Sequence, residues 1–270
     1  MDINALFSRL WTDYTAANPS AQKIVDLFTG EGETVANDHI AFRTLDDPRI
    51  NIDIIAIPFI RHGYKPMGEY RFNDKHLYAR HYEIPGNPEM PRVFISQLLL
   101  QEVSVFARKT LLNLLERVAG ERFWNDDLIF SGSLSTPISY AVYNQLRQES
   151  EYAAWFYVYG FRANHFTVSV NALQKYNTLA AVNGLLKENG FMLNAAGGEI
   201  KGSASDLLMQ SSTMADIVTI PFSEGDFQIP CCYYEFAQRF PMPNGEIFSG
   251  FIAQSADKIF ESTNFYKSNE

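Results

Sequence analysis

The chain has 270 residues, 46% of them hydrophobic, and a formal net charge of −9, which suits one large domain or two fused small ones around a substantial core. An acidic chain with no basic stripe is not expected to bind nucleic acid. No apolar run reaches the ~18 residues that a membrane-spanning helix needs.

Met1 to Phe7 show no basic region followed by an apolar stretch, so no secretion signal is expected and the compartment reads as cytoplasmic. Leu6, Phe7, Leu10 and Tyr14, then Ile24, Val25, Leu27 and Phe28, recur at helical spacing. They predict N-terminal helices within 1–34, ended by Gly30-Glu31-Gly32. A strand follows from Asp38 to Leu45. Its alternation turns Ile40 and Phe42 to one face and His39, Ala41 and Arg43 to the other. Asp47 and Pro48 read as the cap and first turn of a helix carrying Ile50, Ile54 and Ile57, and Gly63 stands at its stop. Strands expected over 64–72, 77–84 and 92–100 complete a β-α-β-β-β unit spanning 35–100.

Residues 101–160 read as a helical insertion. Val103, Phe106, Leu111, Leu114, Leu115 and Val118 favour one helix, and a second is expected over 138–155. The β-α-β-β-β order then recurs over 161–245. Its first strand turns Phe166, Val168 and Val170 one way and His165, Thr167 and Ser169 the other. Asn171 reads as the cap of a helix carrying Tyr176, Leu179, Ala180 and Leu186, with Gly190 at its stop. Further strands are expected over 191–201, 206–210 and 229–240. His39 precedes Gly63 by 24 positions and His165 precedes Gly190 by 25, so the two units keep similar spacing. Cys231 and Cys232 are adjacent; a vicinal disulfide is strained, so both read as reduced thiols in an apolar strand. Residues 246–270 read as a C-terminal tail.

Two histidines heading two similar strands suggest a metal site made by a duplicated unit. A divalent ion needs several donors converging on one point, which strands can supply from distant sequence positions. The best carboxylate is Glu235: its strand is apolar and aromatic, where an unpaired charge is costly and a metal or cationic partner removes the cost. Gln97 reads as its topological counterpart, following His39 by 58 positions where Glu235 follows His165 by 70. Two imidazoles and one carboxylate with open positions form the facial triad of non-haem Fe(II) oxygenases, although the same set suits Zn, Mn, Co and Ni. Taken singly, each strand histidine is also compatible with a packed, hydrogen-bonded core residue. Arg43 could bind a substrate carboxylate or pair with an acidic side chain. Gln210, Ser211, Ser212 and Thr213 could hold a far carboxylate or form a turn. Lys201 and Arg239 read as surface ion-pair residues, and His62, His76 and His81 as structural or exposed.

The segments Asp38-His39-Ile40-Ala41-Phe42-Arg43-Thr44-Leu45, Asn164-His165-Phe166-Thr167, Gln210 to Asp216 and Tyr234-Glu235-Phe236 resemble the 2-oxoadipate dioxygenase/decarboxylase family, also called 2-hydroxyglutarate synthase, of the vicinal oxygen chelate superfamily. The resemblance covers roughly 35–100 and 160–245. It implies an α+β fold in which tandem βαβββ modules form a curved mixed sheet around a metal. It further implies His39, His165 and Glu235 as iron ligands, Arg43 as the anchor of a substrate carboxylate, and Fe(II), O2 and a small 2-oxo acid as reactants and cofactor. The implied reaction turns 2-oxoadipate into 2-hydroxyglutarate with loss of CO2. Gln97 would hydrogen-bond substrate or bound water, or be an ordinary buried amide. Many members are longer than this chain, so specificity carries over least. The competing readings are a non-redox metal-dependent lyase, isomerase or hydrolase of the same fold, and a non-catalytic metabolite-binding module.

Overall fold

The computed structural model describes residues 2–117, 126–134 and 137–263, so Val118 of the expected helical stripe lies outside the described residues. Helices α1 (Ile3–Ala17) and α2 (Pro19–Gly30) open the chain. They part at Asn18, which is not helical, before Pro19, which has no N–H to continue the ladder. The first unit is β1 (Asn37–Leu45), α3 (Ile52–Ile60), β2 (Lys65–Phe72), β3 (Leu77–Glu83) and β4 (Arg92–Leu98). Then come α4 (Val105–Glu116), α5 (Tyr140–Glu149) and α6 (Glu151–Tyr159). The second unit holds β5 (Ala163–Ser169), α7 (Leu179–Glu188), β6 (Lys201–Ser203), β7 (Leu208–Ser212), the hairpin β8 (Ile217–Phe222) and β9 (Gly225–Pro230), and β10 (Glu235–Arg239). A short helix α8 (Ala253–Ile259) follows.

Eight strands form one sheet in the order β2-β3-β4-β1-β5-β10-β7-β6, and β8–β9 stand apart as a two-stranded sheet. Outward from the antiparallel β1–β5 seam, each half reads first strand, last strand, third, second. The first–last pairs, β1–β4 and β5–β10, are both parallel. The two halves are thus related by a pseudo-twofold axis at the seam, the tandem βαβββ arrangement of the vicinal oxygen chelate fold.

Strand alternation decides which face carries chemistry. Phe42 packs on Phe59 of α3, Phe166 on Trp11 and Tyr14 of α1, and Phe236 on Phe28 of α2. Their neighbours His39, His165 and Glu235 consequently face the other, concave side. Helix α8 touches both β2 and β6, the two ends of the sheet. The sheet is therefore curved enough for one short helix to bridge its edges, and that helix closes the concave side.

Several expected boundaries differ. Asn51, not Asp47, caps α3, accepting from Ile54 N at 3.2 Å, while Asp47 takes the guanidinium and N–H of Arg49. The expected helix over 138–155 is two helices broken at Ser150 (φ −148°, ψ 109°), whose Oγ accepts from Ala153 N and starts α6. Thr178 caps α7, with Tyr176 ahead of it. Asn171 instead clamps Arg239, donating to its carbonyl at 2.9 Å and accepting from its N–H at 2.8 Å. The strand expected over 191–201 is only the short β6, and the one over 229–240 breaks at residues 231–234. There the Cys231 carbonyl accepts from Trp155 Nε1 and the Tyr233 carbonyl from Tyr14 Oη, while Asp216 and Thr213 pair with the backbone of Cys231, Cys232 and Tyr234. Cys231 and Cys232 are free, with their sulfurs 3.6 Å apart.

Candidate metal centre

On the concave side, donor atoms of His39, His165 and Glu235 all lie within 4.8 Å of one another, and all three residues are buried. His165 Nε2 is 3.2 Å from Glu235 Oε2 and His39 Nε2 is 3.6 Å from Oε1. Ligands ~2.1 Å from one ion are separated by roughly 3–3.5 Å, so these spacings suit a shared divalent cation. The imidazoles are held alike. His39 Nδ1 donates to Asp38 Oδ1 at 2.8 Å and His165 Nδ1 to Asn164 Oδ1 at 3.0 Å. Each preceding residue thus fixes a tautomer whose Nε2 carries the lone pair, and the lone pair of His39 accepts from Thr167 Oγ1 at 3.1 Å. Asp38 is itself tied to Arg239 by two hydrogen bonds, of 2.6 and 2.9 Å. Burial pushes its carboxyl upward, but the Arg239 guanidinium and His39 outweigh that and hold it well below the usual range.

Burial also pushes both imidazoles down, His165 well below the ordinary value, so both are neutral donors. It pushes Glu235 up to about 8, against a 2.5 Å hydrogen bond from Gln210 Nε2. A buried acid between two neutral imidazoles, with no cationic side chain in direct contact among the described residues, is the environment that a bound divalent ion would compensate.

Arg43 is 2% exposed. Its Nη1 donates to both carboxylate oxygens of Glu151, at 3.0 and 3.2 Å, so the acidic partner weighed from sequence is present. Its Nε and Nη2 have no hydrogen-bond partner. The guanidinium lies over the rings of Tyr152, Trp155 and Phe260. Phe260 also lines the cavity at the three donors, together with Phe94, Gln210, Tyr233, Phe251 and Ile259. That cavity is about 20 Å³, little more than one water.

The remaining expected residues divide by strand face. Gln210 points into the site beside Glu235. Ser211, one residue on, faces away and donates to Asn183 of α7 at 2.8 Å. Ser212 returns to the concave side but is engaged with Ser262 at 2.7 Å, and Thr213 accepts from Tyr234 N. Gln97 is not the counterpart of Glu235. The register pairs Ala41 with Phe94 and Thr167 with Glu235, each two residues past its histidine, so Phe94 holds that place. Gln97 instead accepts from Ile52 N at the start of α3, just as Gln238 accepts from Leu179 N at the start of α7. Lys201 and Arg239 are buried, not surface residues. Lys201 Nζ donates to the Asn194 carbonyl, and burial pushes its ammonium down to about 8. Asp38, Asn164, Tyr233, Phe251 and Phe260 also stand at the site, and strand alternation singles out none of them. Only the first two left a signal, a polar residue directly ahead of each histidine.

A family model described as 2-oxoadipate dioxygenase/decarboxylase matches residues 6–128 and 127–246. The chloroplastic 2-oxoadipate dioxygenase/decarboxylase of Arabidopsis thaliana is 34% identical over 285 residues, covering 96% of this chain and 76% of that protein. The crystal structure of hydroxyglutarate synthase from Oryza sativa in complex with 2-oxoadipate superposes with a TM-score of 0.91 at 33% identity, over 98% of this chain and 93% of that one. A Shewanella frigidimarina crystal structure, named provisionally as a hydrolase, gives a TM-score of 0.88 at 47% identity, over 93% of this chain and 98% of that one. With both modules matched and relatives above 30% identity over nearly all of its length, the chain belongs to the 2-oxoadipate dioxygenase/decarboxylase family.

Proposed function

We propose that this chain is an Fe(II)-dependent dioxygenase/decarboxylase that converts a 2-oxo dicarboxylic acid of the 2-oxoadipate type, with O2, into the 2-hydroxy acid one carbon shorter and CO2. The observation that carries this reading is the convergence of His39, His165 and Glu235, two neutral imidazoles and one carboxylate, within 4.8 Å in a family of that activity. Both oxygen atoms of O2 enter the products, so the reaction balances without a second keto acid.

His39, His165 and Glu235 would hold the metal. Fe(II) at such a site supplies coordination of the keto acid and activation of O2. The protein's own tasks are positional. Asp38 and Asn164 lock the two imidazoles, Gln210 holds one oxygen of Glu235, and Arg43 offers its unpartnered Nε and Nη2 to a substrate carboxylate. Phe94, Phe251 and Phe260 keep water from the reacting groups. We place the enzyme in the cytoplasm, where Cys231 and Cys232 stay reduced.

Oxygen uptake and CO2 release with 2-oxoadipate test the reading together. Equal amounts of each are expected, with none under nitrogen. His165→Ala and Glu235→Ala should lose metal and turnover together. Turnover without oxygen would instead favour a Lewis-acid enzyme of the same fold.

A further inference from the structure

A second cavity, of about 410 Å³, lies away from the metal site and shares no lining residue with the cavity there. Its apolar walls come from Ala16 and Ala17 of α1, Val158 of α6, and Val218 and Ile220 of β8. Val218 and Ile220, two apart, share a face of their strand, and Asp13, Ala16 and Ala17 share a face of α1. The β8–β9 hairpin lies outside the eight-stranded sheet and has no counterpart in the first unit. It is held firmly all the same. Glu224 at its turn accepts from Ser139 Oγ at 2.6 Å and Tyr140 N at 2.8 Å, at the start of α5, and the Tyr140 ring stacks on Phe227 at 3.7 Å. The walls are therefore preformed, and a cavity of this size accommodates a small molecule.

The same cavity carries one charge of each sign. Arg162 and Asp13 both line it, with side chains 20% and 29% exposed. Arg162 Nη2 stands 3.6 Å from Asp13 Oδ1, too far for a hydrogen bond, and Arg162 Nε is buried with no hydrogen-bond partner among the described residues. A buried guanidinium N–H left unpaired is costly unless a ligand completes it. A simple anion would satisfy Arg162 but meet the Asp13 carboxylate, and a simple cation would do the reverse. A head group that bears both charges satisfies both, and the apolar walls select what is attached to it. We propose that this cavity binds a free α-amino acid with an apolar side chain, its carboxylate taken by Arg162 and its ammonium by Asp13. With no lining residue in common, the amino acid neither competes with a ligand at the metal site nor needs the metal.

The test is calorimetric titration of the metal-loaded protein with L-leucine and with L-phenylalanine. Binding at one site is expected, with a Kd below about 1 mM, within reach of ligands of this size. Two analogues of leucine read the charges without altering the protein: 4-methylpentanoate lacks the ammonium, and 3-methylbutylamine lacks the carboxylate. Each should bind at least ~10-fold more weakly than leucine, and leucine should bind Asp13→Asn at least ~10-fold more weakly than the wild type, the worth of a hydrogen bond to a charged group. L-Asparagine, similar in shape but polar, should also lose at least ~10-fold, since it leaves the apolar walls unused. Ala16→Trp, at an exposed position of α1, fills the cavity and should abolish binding while metal content stays as in the wild type. No binding of either amino acid, an analogue that binds as tightly as leucine, or undiminished binding by Ala16→Trp would each overturn the proposal. So would a wild-type dimer in sedimentation that Ala16→Trp converts to a monomer, which would assign the cavity to a second copy of the chain.

Discussion

Glu235 shows how burial and metal chemistry are coupled in one residue. With its carboxyl pushed up to about 8, it carries a proton at neutral pH until an ion displaces it. His39 and His165, pushed the other way, are already deprotonated. Metal capture at pH 7 should therefore release about one proton, from Glu235. Apparent affinity should climb roughly tenfold per pH unit up to about pH 8 and then level off. Titrations with Mn(II) in buffers of differing ionisation enthalpy measure the proton count directly. An affinity that stays flat between about pH 6 and 8 would contradict the burial account.

Gln97 and Gln238 carry the duplication at the level of elements. Each lies three residues past the position that faces the metal site, Phe94 in one unit and Glu235 in the other, and each reaches the first N–H of its unit's helix. Three steps along a strand turn a side chain to the opposite face, toward the helix layer. Gln97→Ala and Gln238→Ala should each cost about 1 kcal/mol in urea unfolding, the scale of a lost helix cap, and leave metal content unchanged. Metal loss in Gln97→Ala would restore a ligand role for that amide. The same two-unit pattern reappears in backbone strain. His76 (φ 55°) and Leu207 (φ 65°) are the described non-glycine residues with positive φ, and each sits just before the third strand of its unit.

At the scale of the whole molecule, the site is closed by chain that belongs to neither repeat. Phe251 meets His39 edge-on at 4.8 Å and also packs on His81 and Phe94, while Phe260 reaches Arg43. The segment is fastened at several points: Arg239 donates to the carbonyls of Phe248 and Gly250, Lys75 pairs with Glu261, and Asn194 donates to the Lys258 carbonyl. Phe251→Ala should destabilise the fold by roughly 3 kcal/mol. It should also speed metal removal by a chelator by about tenfold or more, since it opens the wall beside His39. Unchanged chelation kinetics in a variant of lowered Tm would show that Phe251 is packing alone.

The chain's own order of residues specified the alternating strands led by His39 and His165, the glycine stops at Gly63 and Gly190, and the pairing of an acid in an apolar strand with two distant imidazoles. These are local patterns of period 2 or 3.6 that any strand or helix must satisfy. Tertiary structure decided which residue stands opposite which. It put Phe94 in the place that matches Glu235, turned Ser211 to the helix side, buried Arg239 against Asp38 and laid Phe251 and Phe260 over the ligands. The reason is register: a shift of one residue exchanges the two faces of a strand, and register is fixed by partners far away in sequence that local periodicity does not encode.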